Sequence, residues 1–213
     1  MSKRRTDARI AVFHHLPKCA GTSLVDTFGH YFRIVRDYRK PGSAEGAKGY
    51  TAPHNLAKLS KCDLLCGHFE YPGVHVFERY PGIKERPQDY FLFMFVREPL
   101  ALKCSLLRYE ALEVTIDRLL ERPNYMASCI GIGSGNLEAV MSRYNFVGSV
   151  ESLEDDLPVL LKLLGYPEQN RVIMPRLNRT DSATVHLPRE HLERFRAANA
   201  LDYLIYERAV AIH

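Results

Sequence analysis

A run of seven apolar residues, Tyr90 to Val96, constrains the fold of this chain more than any other feature. A strand without polar residues has no face that suits water, so other parts of the protein must cover both of its faces. Such strands are typical of the centre of a parallel sheet with helices on both sides. A chain of 213 residues suits one domain of this kind. We therefore predict an α/β fold, a three-layer sandwich with a mainly parallel central sheet.

The basic start of the chain predicts a tail over residues 1–9, followed by a single domain over residues 10–213. Lys3, Arg4 and Arg5 supply much of the net charge of +4, and a solvated tail is the expected state of residues 1–8. This small surplus of positive charge favours anionic partners mildly, and it does not form the concentrated basic patch of a nucleic-acid-binding protein. We therefore expect small anionic ligands and no nucleic acid.

The chain carries no recognisable targeting segment. A signal peptide needs an apolar stretch of about 7 to 15 residues after the basic start, and no window is long enough to span a bilayer. The five cysteines are odd in number and mostly lie within apolar runs, which is typical of free thiols in a reducing compartment. Cys62, Cys66 and His68 lack a second cysteine pair at ligand spacing. We predict a cytoplasmic protein without a metal site.

A strand, a tight turn and a helix follow one another in the segment Phe13 to Leu24. An apolar run over residues 10–13 leads into the turn, and a helix is expected over residues 21–31. Backbone N–H groups at the start of that helix, a lysine and two hydroxyls would surround an anion. A plain turn that happens to contain lysine would have the same pattern. The candidate anion-binding residues are Lys18, Cys19, Ala20, Gly21, Thr22 and Ser23.

A second candidate anion site follows the apolar strand. Arg97 comes directly after Val96, and Pro99 is a favoured first residue for the next helix. Ser105 lies eight residues after Arg97 on that helix. The guanidinium and the hydroxyl could bind one anion, with the arginine bidentate. The alternative is that Arg97 pairs with Glu98 or another acid.

One histidine occupies a position that favours chemistry. His68 follows Gly67 at the end of a buried strand predicted over residues 63–69, and open α/β sheets bind ligands at the carboxyl ends of their strands. A structural role is the alternative for His68. It is the default for the remaining histidines, which are His14, His15, His30, His54, His75, His186, His191 and His213.

Several elements outside these motifs are predicted from turn residues and periodicity. Residues 37–53 form a long loop, either a lid or a flexible insertion. Residues 153–164 have a helical pattern, and the helix is expected to begin only near Asp156, because Pro158 suits a first turn. A final helix is expected to run unbroken over residues 188–211.

Four motifs in this order resemble the sulfotransferases, in particular carbohydrate sulfotransferases of the heparan sulfate 2-O and 6-O type and their bacterial relatives. The motifs are HLPKCAGTSL over residues 15–24, LLCGHF over residues 64–69, FMFVREP over residues 93–99 and FVGSVE over residues 146–151. Residues 201–207 are also similar to the terminal helix of that family. The resemblance covers about residues 10–210 and implies a P-loop-like sulfotransferase fold. It also implies the donor substrate 3′-phosphoadenosine 5′-phosphosulfate (PAPS) and a hydroxyl-bearing acceptor.

The resemblance assigns roles to the candidate residues. Lys18 would stabilise charge on the leaving phosphate, while the amides of residues 19–23 hold the rest of the 5′-phosphosulfate. His68 would be the general base on the acceptor hydroxyl. The 3′-phosphate would bind to Arg97 and Ser105, and a loop over the nucleotide would add Asn178 and Arg179. Lys18 and Arg97 must then face one cleft and bind opposite ends of the nucleotide.

Alternatives remain open at this point. The lysine precedes the glycine in P-K-x-x-G-T-S, whereas the Walker loop has it after the glycine, yet a nucleotide kinase or an inactive nucleotide-binding module would use a similar loop. Cys19 stands where the heparan enzymes commonly have threonine. At a helix start beside a lysine its pKa could be lowered, although inert packing is the default. The pattern leaves the acceptor, the oligomeric state and activity itself undecided, and the absence of a Golgi anchor puts polysaccharide acceptors in doubt.

Overall fold

The computed structural model of the protein describes residues 5–40, 42–43, 46–133, 135–166 and 187–211. Its centre is a parallel sheet of five strands in the order β2-β3-β1-β4-β5. The prediction of an α/β fold with a mainly parallel sheet is confirmed. Because β1 lies between β3 and β4, the carboxyl ends of these three strands meet at the middle of one edge of the sheet. The strands are β1 Ile10–His14, β2 Arg33–Asp37, β3 Asp63–Gly67, β4 Tyr90–Val96 and β5 Phe146–Ser149.

Ten α-helices occupy the described parts of the chain between and after these strands. Short 3-10 helices span Gly46–Gly49, Leu56–Lys58 and Pro87–Asp89. The α-helices are α1 Gly21–Phe28, α2 Val76–Arg79, α3 Pro81–Glu85, α4 Pro99–Tyr109, α5 Ile116–Leu120, α6 Tyr125–Cys129, α7 Leu137–Met141, α8 Leu153–Leu163, α9 Arg189–Ala198 and α10 Ala200–Val210.

Strand β4 is buried on both faces, as its sequence predicts, and no residue in it is more than 3% exposed. Phe91, Phe93 and Phe95 point to the face that is covered by α1 and α8. Leu92 and Met94 point to the opposite face, where α2, α3, α6 and α10 pack. The sheet therefore separates two apolar cores, which is the three-layer arrangement.

The N-terminal segment differs from the solvated tail expected for residues 1–8. Arg5 is 5% exposed, and its Nε donates to the carbonyl of Leu164 over 2.7 Å while its Nη1 donates to the carbonyl of Lys61 over 2.6 Å. The Thr6 amide adds a bond to the Gly165 carbonyl. Carbonyls at the end of a helix lack partners and attract cations. The end of α8 thus binds Arg5, and the prediction is wrong for Arg5, whereas Thr6 and Ala8 are exposed.

The expected start of α8 is also wrong, since the helix begins at Leu153 and carries Pro158 in its interior. The Ser152 carbonyl accepts bonds from the amides of Asp155 and Asp156, and the Asp156 carboxylate accepts one from the Ser149 amide over 2.6 Å. These bonds hold the turn that precedes the proline. The bond that Pro158 cannot donate would go to the carbonyl of Glu154, which is an exposed residue.

The expected final helix is divided at Asn199 into α9 and α10. The Asn199 side chain is buried, donates to the Phe195 carbonyl over 2.9 Å and accepts from the Asn124 amide over 3.0 Å. An asparagine side chain that bonds to backbone groups competes with the helical pattern. This tertiary contact explains the break.

Candidate functional site

The loop between β1 and α1 has the form that an anion site requires. Lys18 and Ala20 adopt left-handed backbone with φ of 63° and 57°, which costs a non-glycine residue about 1–2 kcal/mol. The first helical bond runs from the Leu24 amide to the Ala20 carbonyl, so the amides of Gly21, Thr22 and Ser23 have no acceptor within the helix. Because these amides lie at the positive end of the helix dipole, an anion is favoured there.

The side chains of this loop differ in exposure. Lys18 extends over the end of α4, where its Nζ lies 4.2 Å from the centre of the Tyr109 ring. Burial and then the charge of Arg97 lower the pKa of the Lys18 ammonium. The Thr22 side chain is exposed, whereas Ser23 is buried. Among residues 18–23, Thr22 and Lys18 are thus the polar side chains that a ligand can reach directly.

Cys19 points into the core and is 1% exposed. Burial raises the pKa of its thiol, and the nearby charge of Arg97 only partly opposes this effect. The possibility of a lowered pKa at this position is therefore wrong. The apolar surroundings outweigh the helix start and the charge of Arg97, so Cys19 is an inert packed thiol, and its backbone amide donates to the Leu16 carbonyl over 3.3 Å.

Arg97 leaves the end of β4 and reaches back to the β1–α1 loop. Its Nη1 donates to the carbonyl of Lys18 over 3.3 Å, and its Nε is buried without a hydrogen-bond partner among the described residues. The Glu98 carboxylate is engaged elsewhere, since it accepts bonds from the Ala101 amide and the Tyr203 hydroxyl over 2.7 and 3.0 Å. The guanidinium thus lies against the same loop as Lys18 and has a donor that no described residue pairs with.

Ser105 lies on α4, four residues before Tyr109. The residue is 1% exposed, and its Oγ is buried with no hydrogen-bond partner in the described parts of the chain. An unpaired buried hydroxyl costs about 1–3 kcal/mol. Ser105 and Arg97 therefore both carry polar atoms without a partner among the described residues, as donors for an anion would, and their role as a 3′-phosphate site stays a prediction.

His68 follows the end of β3 and is the solvent-facing histidine beside the loop. Its side chain is 30% exposed, and its Nδ1 lies 3.7 Å from Oε1 of Glu70. The Tyr125 hydroxyl lies 3.5 Å from the other oxygen of Glu70. Since Glu70 faces Nδ1, the Nε2 side of His68 is the side left for an acceptor. This position suits the predicted general base. The catalytic role of His68 stays a prediction.

The neighbouring histidines have different surroundings. His14 is fully buried between the Tyr144 hydroxyl and the backbone carbonyl of His68, each 2.8 Å away, and burial lowers its pKa to about 3. His15 is half-buried, its Nδ1 lies 2.8 Å from the Tyr38 hydroxyl and its ring centre lies 4.6 Å from that of His68. The default expectation of a structural role describes His14 well.

Sequence reasoning missed four side chains around the site, because only the folded structure brings them close to it. Tyr38 follows the end of β2, so the strand-end rule that selected His68 could have found it. Glu70 lies two residues beyond His68, just outside the LLCGHF motif. Tyr109 and Tyr125 come from helix ends that no motif marks. Two predicted residues, Asn178 and Arg179, lie outside the described residues.

Comparisons with known proteins support the fold. No protein-family model matches the chain, and a search of curated proteins finds no match. The crystal structure of a sulfotransferase from Alicyclobacillus acidocaldarius is similar, with a TM-score of 0.53 and 14% sequence identity over 97% of each chain. At this identity the similarity concerns the fold alone. The expectation of a sulfotransferase-like fold is confirmed.

Two further features concern metals and membranes. Within the described ranges, no group of three or more His, Cys, Asp or Glu side chains is arranged to hold a metal ion. In the same parts of the chain, no helix combines the length and the apolar character that crossing a bilayer requires.

Proposed function

We propose that this protein is a sulfotransferase that moves the sulfuryl group of PAPS to a hydroxyl of a carbohydrate or another small acceptor. One observation carries the proposal: the Lys18 loop, Arg97 and His68 follow the carboxyl ends of three neighbouring strands, β1, β4 and β3. Two anion-binding features therefore lie beside a candidate base at one edge of the sheet. The similar fold of the Alicyclobacillus acidocaldarius protein, which is itself described as a sulfotransferase, supports the same conclusion.

The donor would bind along the loop and the start of α4. The amides of Gly21, Thr22 and Ser23 would hold the 5′-phosphosulfate, and Lys18 would pair with its bridging oxygen. Arg97 and Ser105 would bind the 3′-phosphate, which supplies an acceptor for their unpaired buried atoms. Asn178 and Arg179 are proposed to close over the nucleotide.

The transfer itself would need little covalent help from the protein. His68 would take the proton of the acceptor hydroxyl as its oxygen forms a bond to sulfur, and Glu70 would orient the imidazole through Nδ1. The bond between sulfur and the phosphate oxygen breaks, and adenosine 3′,5′-bisphosphate (PAP) leaves. Lys18 would stabilise the negative charge that grows on that phosphate oxygen.

The acceptor and the cellular setting are part of the proposal. The ring of Tyr38 contacts that of His68, and the Tyr125 hydroxyl lies 3.5 Å from the Glu70 carboxylate. Aromatic rings with one carboxylate suit a hydroxyl-rich acceptor. The closer resemblance to heparan sulfate 2-O and 6-O enzymes favours a carbohydrate. All five cysteines are free thiols, which supports a reducing, cytoplasmic setting.

A ligand-induced shift in melting temperature tests the donor. We expect PAP to stabilise the protein more than ATP or 5′-AMP, because only PAP carries charge at both the 3′ and 5′ positions. The stabilisation should be lost in Lys18→Ala and Arg97→Ala and kept in Lys162→Ala, an exposed lysine on α8 that serves as the matched control. A preference for ATP would instead support a nucleotide kinase.

A second variant tests the reaction. With a transferred sulfuryl group as the readout, His68→Ala should bind PAP as the wild type does and lose transfer by about 10²–10⁴-fold, the usual contribution of a general base. An unchanged transfer rate in His68→Ala would refute the mechanism but leave the nucleotide site intact. Binding of PAP without any transfer in the wild type would instead support a nucleotide-binding module.

A further inference from the structure

A chain of three side chains crosses the ends of three neighbouring strands beside the candidate site. The Tyr38 hydroxyl, just after β2, lies 2.7 Å from Sγ of Cys66 on β3 and 2.8 Å from Nδ1 of His15, just after β1. The His15 ring stacks on Phe13, with ring centres 5.6 Å apart and planes 8° apart. The imidazole is therefore held in one orientation by a hydrogen bond and a stacking contact.

The direction of these hydrogen bonds follows from the strength of the groups. A phenol hydroxyl is a good donor, an imidazole nitrogen is a strong acceptor and thiol sulfur is a weak one. The favourable arrangement has the Tyr38 hydroxyl donating to Nδ1 and the Cys66 thiol donating to the phenol oxygen. Burial raises the pKa of the Cys66 thiol to about 12 and lowers that of His15 to about 3. Both groups are thus neutral, and the proton of His15 is on Nε2.

Nε2 of His15 lies at the mouth of the anion site. A Cβ atom built on Gly21, the first residue of α1, would lie only 1.8 Å from it. This nitrogen makes no hydrogen bond to the described residues. The ring of His68 is also close, with its centre 4.6 Å from that of His15 and the two planes 77° apart. His15 therefore contacts both the first residue of α1 and the candidate base.

We propose that His15 donates its Nε2–H to an oxygen of the sulfuryl group of the bound donor, with Tyr38 as the positioning residue that fixes the tautomer. The inference rests on the proposed function and adds a residue to it. The sulfuryl group must lie between the phosphate held by α1 and the acceptor held near His68, which is where Nε2–H lies. A neutral donor stabilises the sulfuryl oxygens without competing with His68 for the acceptor proton.

The position of the donated hydrogen allows a matched pair of variants. The side-chain amide of glutamine reaches about as far as Nε2 of histidine, whereas that of asparagine reaches only about as far as Nδ1. PAPS and PAP differ by the sulfuryl group, so the ratio of their dissociation constants isolates contacts to that group. Calorimetric titration without an acceptor measures both constants, and the rate of PAPS hydrolysis gives a second readout.

We expect His15→Asn to lower the preference for PAPS over PAP by about tenfold, the usual effect of one lost hydrogen bond to a charged group. The affinity for PAP should stay within about twofold, because PAP lacks the atoms that His15 contacts. His15→Gln should keep most of the preference and most of the hydrolysis rate. Tyr38→Phe should lower the preference for PAPS over PAP less than His15→Asn does. The imidazole of His15 remains in this variant, but either of its nitrogens can then carry the proton.

Each outcome of these titrations supports or overturns the proposed role of His15. A wild-type ratio in His15→Asn overturns the proposal, and so does an equal loss of PAP and PAPS affinity, which would indicate a purely structural role. If His15→Asn fails to fold, as judged by circular dichroism, Tyr38→Phe decides: an unchanged ratio overturns the proposal and a lowered ratio supports it. Failure of the wild type to bind either nucleotide refutes the proposed function itself, which is a distinguishable result.

Discussion

The contact between His15 and Gly21 allows a stability prediction whose sign depends on the tertiary structure. Gly21 is the first residue of α1, and its φ is not in the left-handed region. Replacement of a glycine by alanine inside a helix normally stabilises a protein, since glycine costs about 0.5–1 kcal/mol there. At Gly21, however, the added Cβ would lie 1.8 to 2.5 Å from three atoms of the His15 ring.

The magnitude follows from how firmly that ring is held. His15 cannot move away cheaply, because its Nδ1 bonds to Tyr38 over 2.8 Å and its face stacks on Phe13. Overpacking of a held side chain costs about 1–3 kcal/mol. With the middle of each range, about 2 kcal/mol of overpacking against about 0.75 kcal/mol of helix gain, we expect Gly21→Ala to lower the free energy of unfolding by about 1–2 kcal/mol. In a chain of this length that is a fall of about 2–8 °C in melting temperature.

Thermal and urea unfolding followed by circular dichroism measure the effect. Gly133→Ala is the matched control, because no atom lies within 4 Å of its built Cβ, and its melting temperature should be unchanged or slightly higher. The double variant with His15→Ala should lose less than the sum of the two single variants, since the ring that causes the clash is gone. A melting temperature for Gly21→Ala at or above that of the wild type would refute the reasoning.

Two further predictions concern titration and thiol reactivity. Burial raises the pKa of Asp202 from its ordinary 3.8 to about 6, so the stability from this group is fully present below about pH 4 and is lost as the pH rises through about 6. Between these limits, the free energy of unfolding measured in urea should fall by about 3 kcal/mol more in the wild type than in Asp202→Asn. An equal pH dependence in both proteins would contradict this prediction. Cys62 is the exposed thiol and the other four cysteines are buried. Ellman's reagent should therefore label one thiol quickly in the native protein, and fast labelling of Cys19 would show that its burial is misjudged.

The elements that local pattern determines were predicted well. The run from Tyr90 to Val96 is a strand buried on both faces, and β1, the turn and α1 follow one another as the segment from Phe13 to Leu24 predicts. Pattern failed where a distant group supplies a bond. Asn199 interrupts the predicted final helix because its side chain bonds to Asn124. Arg5 is buried because its guanidinium donates to the carbonyls of Leu164 and Lys61.

For the candidate site, sequence reasoning selects residues one at a time: position at a strand end selected His68 and Arg97, and the composition of the β1–α1 loop selected Lys18. The sequence by itself therefore determined the class of fold and the edge of the sheet at which we propose that ligands bind. Only the tertiary structure decided that Arg97 contacts the Lys18 carbonyl, that Cys19 is buried, and that Tyr38 orients His15 toward Gly21. The physical reason is that hydrophobic periodicity is a local property of the chain. Hydrogen-bond direction, desolvation and close approach instead depend on residues that are distant in sequence and adjacent only after folding.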